Sequence, residues 1–334
     1  MFHLARSELR EAQCIAADLV SFGRAHGDTS GLIVGNHALG YTHLFQGELL
    51  SARAKLEEAL RLYDSTAHGQ LFRQLGLDTN AIALAHLGLN LSLLGYPDQA
   101  LVRAEQAISQ ARQRAHTPTM EQCLALSART ASILGDEARL AHWVQELRAL
   151  TQEHGYRVFS TEVPVYEGEL QLMRGEATAA VTLMRQGLRA YCATGATSWS
   201  GHFASLLCEA LAQDGKPDEA LSLLDDYIAF IGSTGMRWCA ADLHRRRGEL
   251  LLKGRLPNFA RARAEFLQAI DIARGQSAKL WELRAAISLT RLWCDQGRYS
   301  DAHDLLGPIY AWVTEGFDSA DLKGAKLLFN ELST

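Results

Sequence analysis

AIALAHLGLNLSLLGYPDQALVRAEQAISQA, Ala81 to Ala111, reads as two helices folded back on each other. Gly88 lies in the first helix, Gly95 in the turn, and Ala100 and Ala107 in the second helix. The steps from Gly88 to Ala100 and from Ala100 to Ala107 are 12 and 7 residues. Small residues belong there because the two helices cross closely, and a large side chain would push them apart. The turn is Gly95-Tyr96-Pro97-Asp98: Gly closes one helix in the left-handed conformation and Pro opens the next near its first turn. Gly215-Lys216-Pro217-Asp218 has the same layout, and both turns lead into the start of an amphipathic helix.

Working outward, Gly95 belongs to a ladder. Gly135, Gly175 and Gly215 follow it at steps of 40, with Gly47 before it at 48 and Gly254 and Gly297 after it at 39 and 43. A second ladder, Gly155, Gly195, Gly235 and Gly275, has the same period of 40, offset by 20. A fixed period of this size means stacked repeats, and two punctuation marks per period mean two helices per repeat. The first ladder marks the turn inside each pair, and the second is expected to end each second helix.

The 12-and-7 spacing recurs at Gly40, Ala52 and Ala59, and at Gly168, Ala180 and Gly187; Gly248, Ala262 and Ala269 are spaced 14 and 7. It resembles the tetratricopeptide repeat, in which small residues occupy those places. Other units drift, with Leu140 and Leu147, Tyr227, or Thr290 and Ile309 at the equivalent positions. The period exceeds the usual length of about 34, so longer helices or wider loops are expected. The fold expected is an all-α, tetratricopeptide-like helical-repeat solenoid, a right-handed superhelix of about seven helix pairs plus flanking helices. Its single unit spans 1–334: a flanking helix in 1–30, with one long helix over 4–26; pairs at 31–64, 79–117, 118–156, 157–196, 197–236, 237–277 and 278–316; and a cap at 317–334 with Leu322, Ala325, Leu328 and Phe329 on one face. Residues 64–78 form an enlarged loop with room for a helical turn of its own.

With 48% hydrophobic and 21% charged residues and only 6 Pro, the 334-residue chain is a folded one. Its net charge of −5 offers no basic field for nucleic acid or an anionic membrane. No apolar run reaches membrane-spanning length and no signal-peptide core opens the chain, so the cytoplasm is expected. Cys14, Cys123, Cys192, Cys208, Cys239 and Cys294 form no C-x-x-C pair and read as small buried hydrophobes. Gly215–Lys216 runs into Pro rather than a phosphate loop, and H-E-x-x-H and G-x-S-x-G are absent. No enzyme activity, cofactor or metal is expected.

In such arrays the first helices line a concave groove. The residue after the small position of each first helix is then expected to face inward: Tyr41, Leu89, Arg129, Glu169, Glu209, Glu249 and Arg291. Glu169, Glu209 and Glu249 stand 40 apart, an acidic ladder suited to gripping Lys or Arg side chains of a protein or peptide partner. The plainer reading is that these glutamates pair with neighbours such as Arg245. Trp199, Trp238 and Trp281 open successive first helices and read as packing between repeats.

Three stretches carry a further likeness: LGYPDQAL (Leu94 to Leu101), AKLWELRAAISLTRLWCDQGR (Ala278 to Arg298) and DLLGPIYAWVTEGFDSADLKGAKLL (Asp304 to Leu328). They resemble the C-terminal tetratricopeptide region of bacterial proteins that fuse a class III adenylate/guanylate cyclase to an AAA-type ATPase. The resemblance implies a non-catalytic protein-interaction scaffold, the regulatory or sensory array of such a signalling protein, with cyclase or ATPase domains as partners in cis or in trans. The alternatives are a sensor for a small ligand or peptide, and a folded remnant of a truncated gene. Gly324, in the last helix where a better helix former would fit, is a departure.

Overall fold

The computed structural model describes residues 2–154, 157–253 and 256–332, and these contain eighteen helices. A short α1 (Phe2–Ala5) and α2 (Leu9–His26) precede α3 (Thr29–Gln46) and α4 (Leu49–Leu62). After α5 (Gly69–Leu75) come α6 (Thr79–Leu94), α7 (Pro97–Arg114), α8 (Thr117–Leu134), α9 (Glu137–His154), α10 (Arg157–Met173) and α11 (Ala177–Ala193). Then follow α12 (Ser200–Gln213), α13 (Pro217–Thr234), α14 (Ala240–Lys253), α15 (Phe259–Gln276), α16 (Lys279–Asp295), α17 (Tyr299–Ala311) and α18 (Ala320–Leu332). Antiparallel pairs stack in order from α3/α4 to α16/α17, and many helices run to 18 residues.

The small positions do what their spacing demands. A Cβ on Gly88 would lie 2.8 Å from the Ala100 carbonyl oxygen, and one on Gly168 2.9 Å from that of Ala180. Backbone against backbone leaves no room for a side chain to turn aside. Every described glycine of the first ladder has positive φ. At Gly95 (φ 89°) the left-handed residue lets its own N–H and that of Tyr96 bond back to carbonyls of the last turn of α6. Pro97 and Pro217 then open α7 and α13.

First helices are inside and second helices outside. Fourteen of the 16 residues of α6 are buried, against five of 18 in α7, where Ala100, Ala104, Ala107, Ile108 and Ala111 form one stripe. A helix buried on every face needs neighbours on every face, and here the superhelix supplies them by closing on itself. The Phe45 carbonyl, left without an intrahelical donor near the end of α3, accepts from the N–H groups of Arg237 and Trp238 ahead of α14, at 2.9 and 3.3 Å. The Ala5 carbonyl accepts from Thr197 and Ser198 ahead of α12, and the Ile133 carbonyl from Arg284 Nη2 at 2.7 Å. Asp98 and Gln99 of α7 hold Gly316 and Glu315 beyond α17. The tryptophans lie at this seam: Trp199 and Trp238 pack edge to face at 4.9 Å, and Trp281 Nε1 donates to the Trp238 carbonyl.

Several expectations need correction. The long helix over 4–26 is broken at residues 6–8, where Leu4 of α1 turns into the core and Ser7 bonds Thr197. Gly275 lies within α15, and Ser277 (φ 57°) takes the left-handed position instead. Gly155 and Gly254 are outside the described residues. Cys14 and Cys192 are exposed, unlike Cys123, Cys208 and Cys239. Residues 64–78 do hold a short helix, α5.

Candidate functional site

The inward register has a gradient along the superhelix. Tyr41 (6% exposed), Leu89 (0%), Arg129 (4%) and Glu169 (4%) are buried; Glu209 and Glu249 are about one-third exposed, at 36% and 30% of the side chain, and Arg291 is exposed. Leu89 is therefore core rather than groove surface. Tyr41 and Arg129 border a recess of about 340 Å³ with Gln122, Tyr191 and Trp199, under the N-terminal strap at Ala5 and Arg6. Arg129 is committed there: its guanidinium binds Glu162 through two nitrogens and stacks 4.3 Å from the centre of the Trp199 ring. The front positions Tyr41 and Arg129 thus border a recess on whose wall Trp199 lies, while Leu89 does not reach it.

Behind them the interior opens into a cavity of about 400 Å³. Five of the eight residues nominated from sequence line it: Glu169 on α10, Glu209 on α12, Arg245 and Glu249 on α14, and Arg291 on α16. Sequence reasoning missed Arg246, Asp242, Ser132, His202, Arg284, and Asp321 of the cap helix, which also line it. The Arg245-Arg246-Arg247 run inside an otherwise mixed helix was the available signal for the first of these. Nothing local points to Asp321, which reaches the cavity only because α18 folds across the mouth. Gly324 also lines the wall, and a Cβ there would meet nothing within 4 Å, so its missing side chain leaves the space open.

The acidic ladder is mostly neutralised. Arg245 donates two nitrogens to Asp242 Oδ1, the closer at 2.6 Å, and one to Glu249 at 2.8 Å. Arg246 pairs with Glu209. Although burial opposes it, Arg245 and Arg246 hold the Asp242 carboxyl far below its ordinary range, and Arg245 also lowers that of Glu249. Arg284 grips Asp321 with three contacts of 2.7 to 3.0 Å while capping Ile133. The pairing reading of the ladder thus describes Glu209 and Glu249. Glu169 differs: its Oε2 is buried without a hydrogen-bond partner, and burial pushes its carboxyl up to about 7. Beside it, Ser132 Oγ lies 3.1 Å from His202 Nε2, and burial pushes His202 down to about 4. Arg291 has no hydrogen bond or ion pair among the described residues.

No family model and no curated protein matches the chain. Solved structures do. The Rap conjugation gene regulator of plasmid pLS20, in complex with the Phr* peptide, superposes with a TM-score of 0.57 at 13% identity, over 91% of this chain and 76% of that one. The apo quorum sensor NprR from B. thuringiensis gives 0.54 at 12%, over 90% and 82%. A tetratricopeptide repeat protein from Parabacteroides merdae gives 0.47 at 15%, over 91% and 99%. The fold is an all-α, tetratricopeptide-like helical-repeat solenoid. No described helix is long and apolar enough to cross a membrane.

Proposed function

We propose that this chain is a non-catalytic interaction scaffold that holds a protein or peptide segment in the cavity of its C-terminal half. The observation that carries this reading is the cavity itself. Four successive first helices, α10, α12, α14 and α16, place charged side chains on one space, and two of those side chains, Glu169 and Arg291, have no ion pair. Ion pairs that fill each other's hydrogen bonds set the walls, while unmatched groups leave work for an occupant. The Rap regulator, which shares the fold, was solved with a peptide, and this supports the same class of partner here. The resemblance read from Leu94–Leu101, Ala278–Arg298 and Asp304–Leu328 supports the finer assignment, the regulatory array of a cyclase–ATPase signalling protein acting in the cytoplasm. The cavity's modest size favours a second reading, a sensor whose small ligand or peptide changes how tightly the superhelix closes.

A photo-crosslinking amino acid at Met173, on the cavity wall, compared with one at the exposed Asp226 of α13, tests the scaffold reading in native extract. Adducts with a defined segment are expected from position 173 alone. Identical adducts from both positions, or none from 173, would overturn it.

A further inference from the structure

Resting on that reading of the cavity, we propose that its occupant is a zwitterion with an apolar body: the free end of a short peptide, or an amino-acid-like molecule. Its ammonium enters deep to Glu169, and its carboxylate stays at the mouth on Arg291.

Asp242 and Glu249 are held by Arg245, Glu209 by Arg246, and Asp321 by Arg284. Glu169, which Ser132 also faces, and Arg291 are left without an ion pair, and they differ in depth. Glu169, on α10, is 4% exposed and its Oε2 has no partner. Arg291, on α16, is exposed. A buried acceptor without a donor carries a desolvation cost that a donor from the ligand recovers. An ammonium does so with a charge-assisted bond, and an exposed guanidinium is shaped to take a carboxylate through two nitrogens. The order of charges, acid inside and base outside, orients the ligand amine first. An inorganic anion would leave Glu169 unmatched, and a polyamine would leave Arg291 unmatched.

Among the paired charges the wall also carries Leu172, Met173, Leu206 and Ile287, and these four give a hydrocarbon body between the two charges something to pack on. A volume of about 400 Å³ lies within the range of small-molecule sites and is far too small for a folded partner.

Titration calorimetry on the full chain tests this with three probes: the dipeptide Leu-Leu, its N-acetyl form and its C-terminal amide. Leu-Leu should bind, and either cap should weaken it by about tenfold, the loss of one charge-assisted contact. In Glu169→Gln, acetylation should stop mattering while amidation still does. In Arg291→Gln, a change at an exposed side chain, the pattern should reverse. Acetylated and free dipeptide binding equally to the wild type would overturn the proposal. So would failure of all three to bind at about 10 mM. Crosslinking from position 173 with no discrimination among the dipeptides sinks this proposal and leaves the scaffold reading standing; absent crosslinking sinks the scaffold reading itself.

Discussion

The front and back halves of the superhelix use the same repeat position in opposite ways. At the front, Tyr41, Leu89 and Arg129 are buried; Arg129 is held by Glu162, and His37 lies 2.9 Å from His86. At the back, Glu209, Glu249 and Arg291 face a cavity. Position within a repeat sets which way a side chain points; position along the superhelix sets whether anything lies there to meet it. The turn glycines record the same asymmetry. A Cβ on Gly47 or Gly95 would strike Gln276 or Lys279 and Trp312 from the returning half, whereas one on Gly135, Gly175 or Gly215 would meet nothing within 4 Å.

Acid should break this contrast most strongly. Burial lowers His37 and His202 from 6.5 to about 4, and lowers His86 in the same direction. The unfolded chain therefore takes up these protons first, so stability is full above pH 6.5 and drains as pH falls toward 4. The loss is roughly 3 kcal/mol for each of His37 and His202. Glu169 has the opposite sign. Its folded carboxyl, raised from 4.5 to about 7, keeps its proton after the unfolded one has lost it. Its contribution is therefore full below pH 4.5 and gone once pH passes 7. Urea unfolding of the wild type at pH 7 and pH 5 should show net acid destabilisation. His37→Gln with His86→Gln should blunt it, and Glu169→Gln should steepen it. A midpoint unchanged between the two pH values would refute this account.

Charge is the next lever. Glu162→Gln strands the Arg129 guanidinium in the core, and a loss of about 3–5 kcal/mol is expected. A urea midpoint within error of the wild type would mean that water from the adjoining recess satisfies the guanidinium in place of Glu162. The smallest effect separates the halves at a single register position. Leu89→Ala should cost about 2–5 kcal/mol as a core cavity, whereas Glu209→Ala, at a side chain one-third exposed and with Asp242 still facing Arg246, should cost less, about 1–2 kcal/mol. Equal losses would show that the cavity is as closely packed as the front.

Much of the architecture was legible in the sequence because repeat geometry is a local property. A left-handed residue before Pro97 ends one helix and starts the next whatever lies beyond, and Gly88 must be small because its own partner helix passes it twelve residues later. Seven pairs, their turns and the inward register follow from such short-range rules, and with them five residues of the cavity. The rules failed where a neighbour could substitute for the expected residue, as Ser277 does for Gly275, because several residue types tolerate a single left-handed position beside a packed helix.

What no local rule contains is the closure of the superhelix. Small angular offsets between successive pairs accumulate until the segment ahead of α14 meets α3 and the segment beyond α17 meets α7. Those contacts join residues roughly two hundred positions apart, and they turn an expected continuous groove into a small recess at the front and a charged cavity behind. Periodicity could therefore assign Leu89 and Glu209 to the same face; the meeting of the two ends made one of them core and the other the wall of a site.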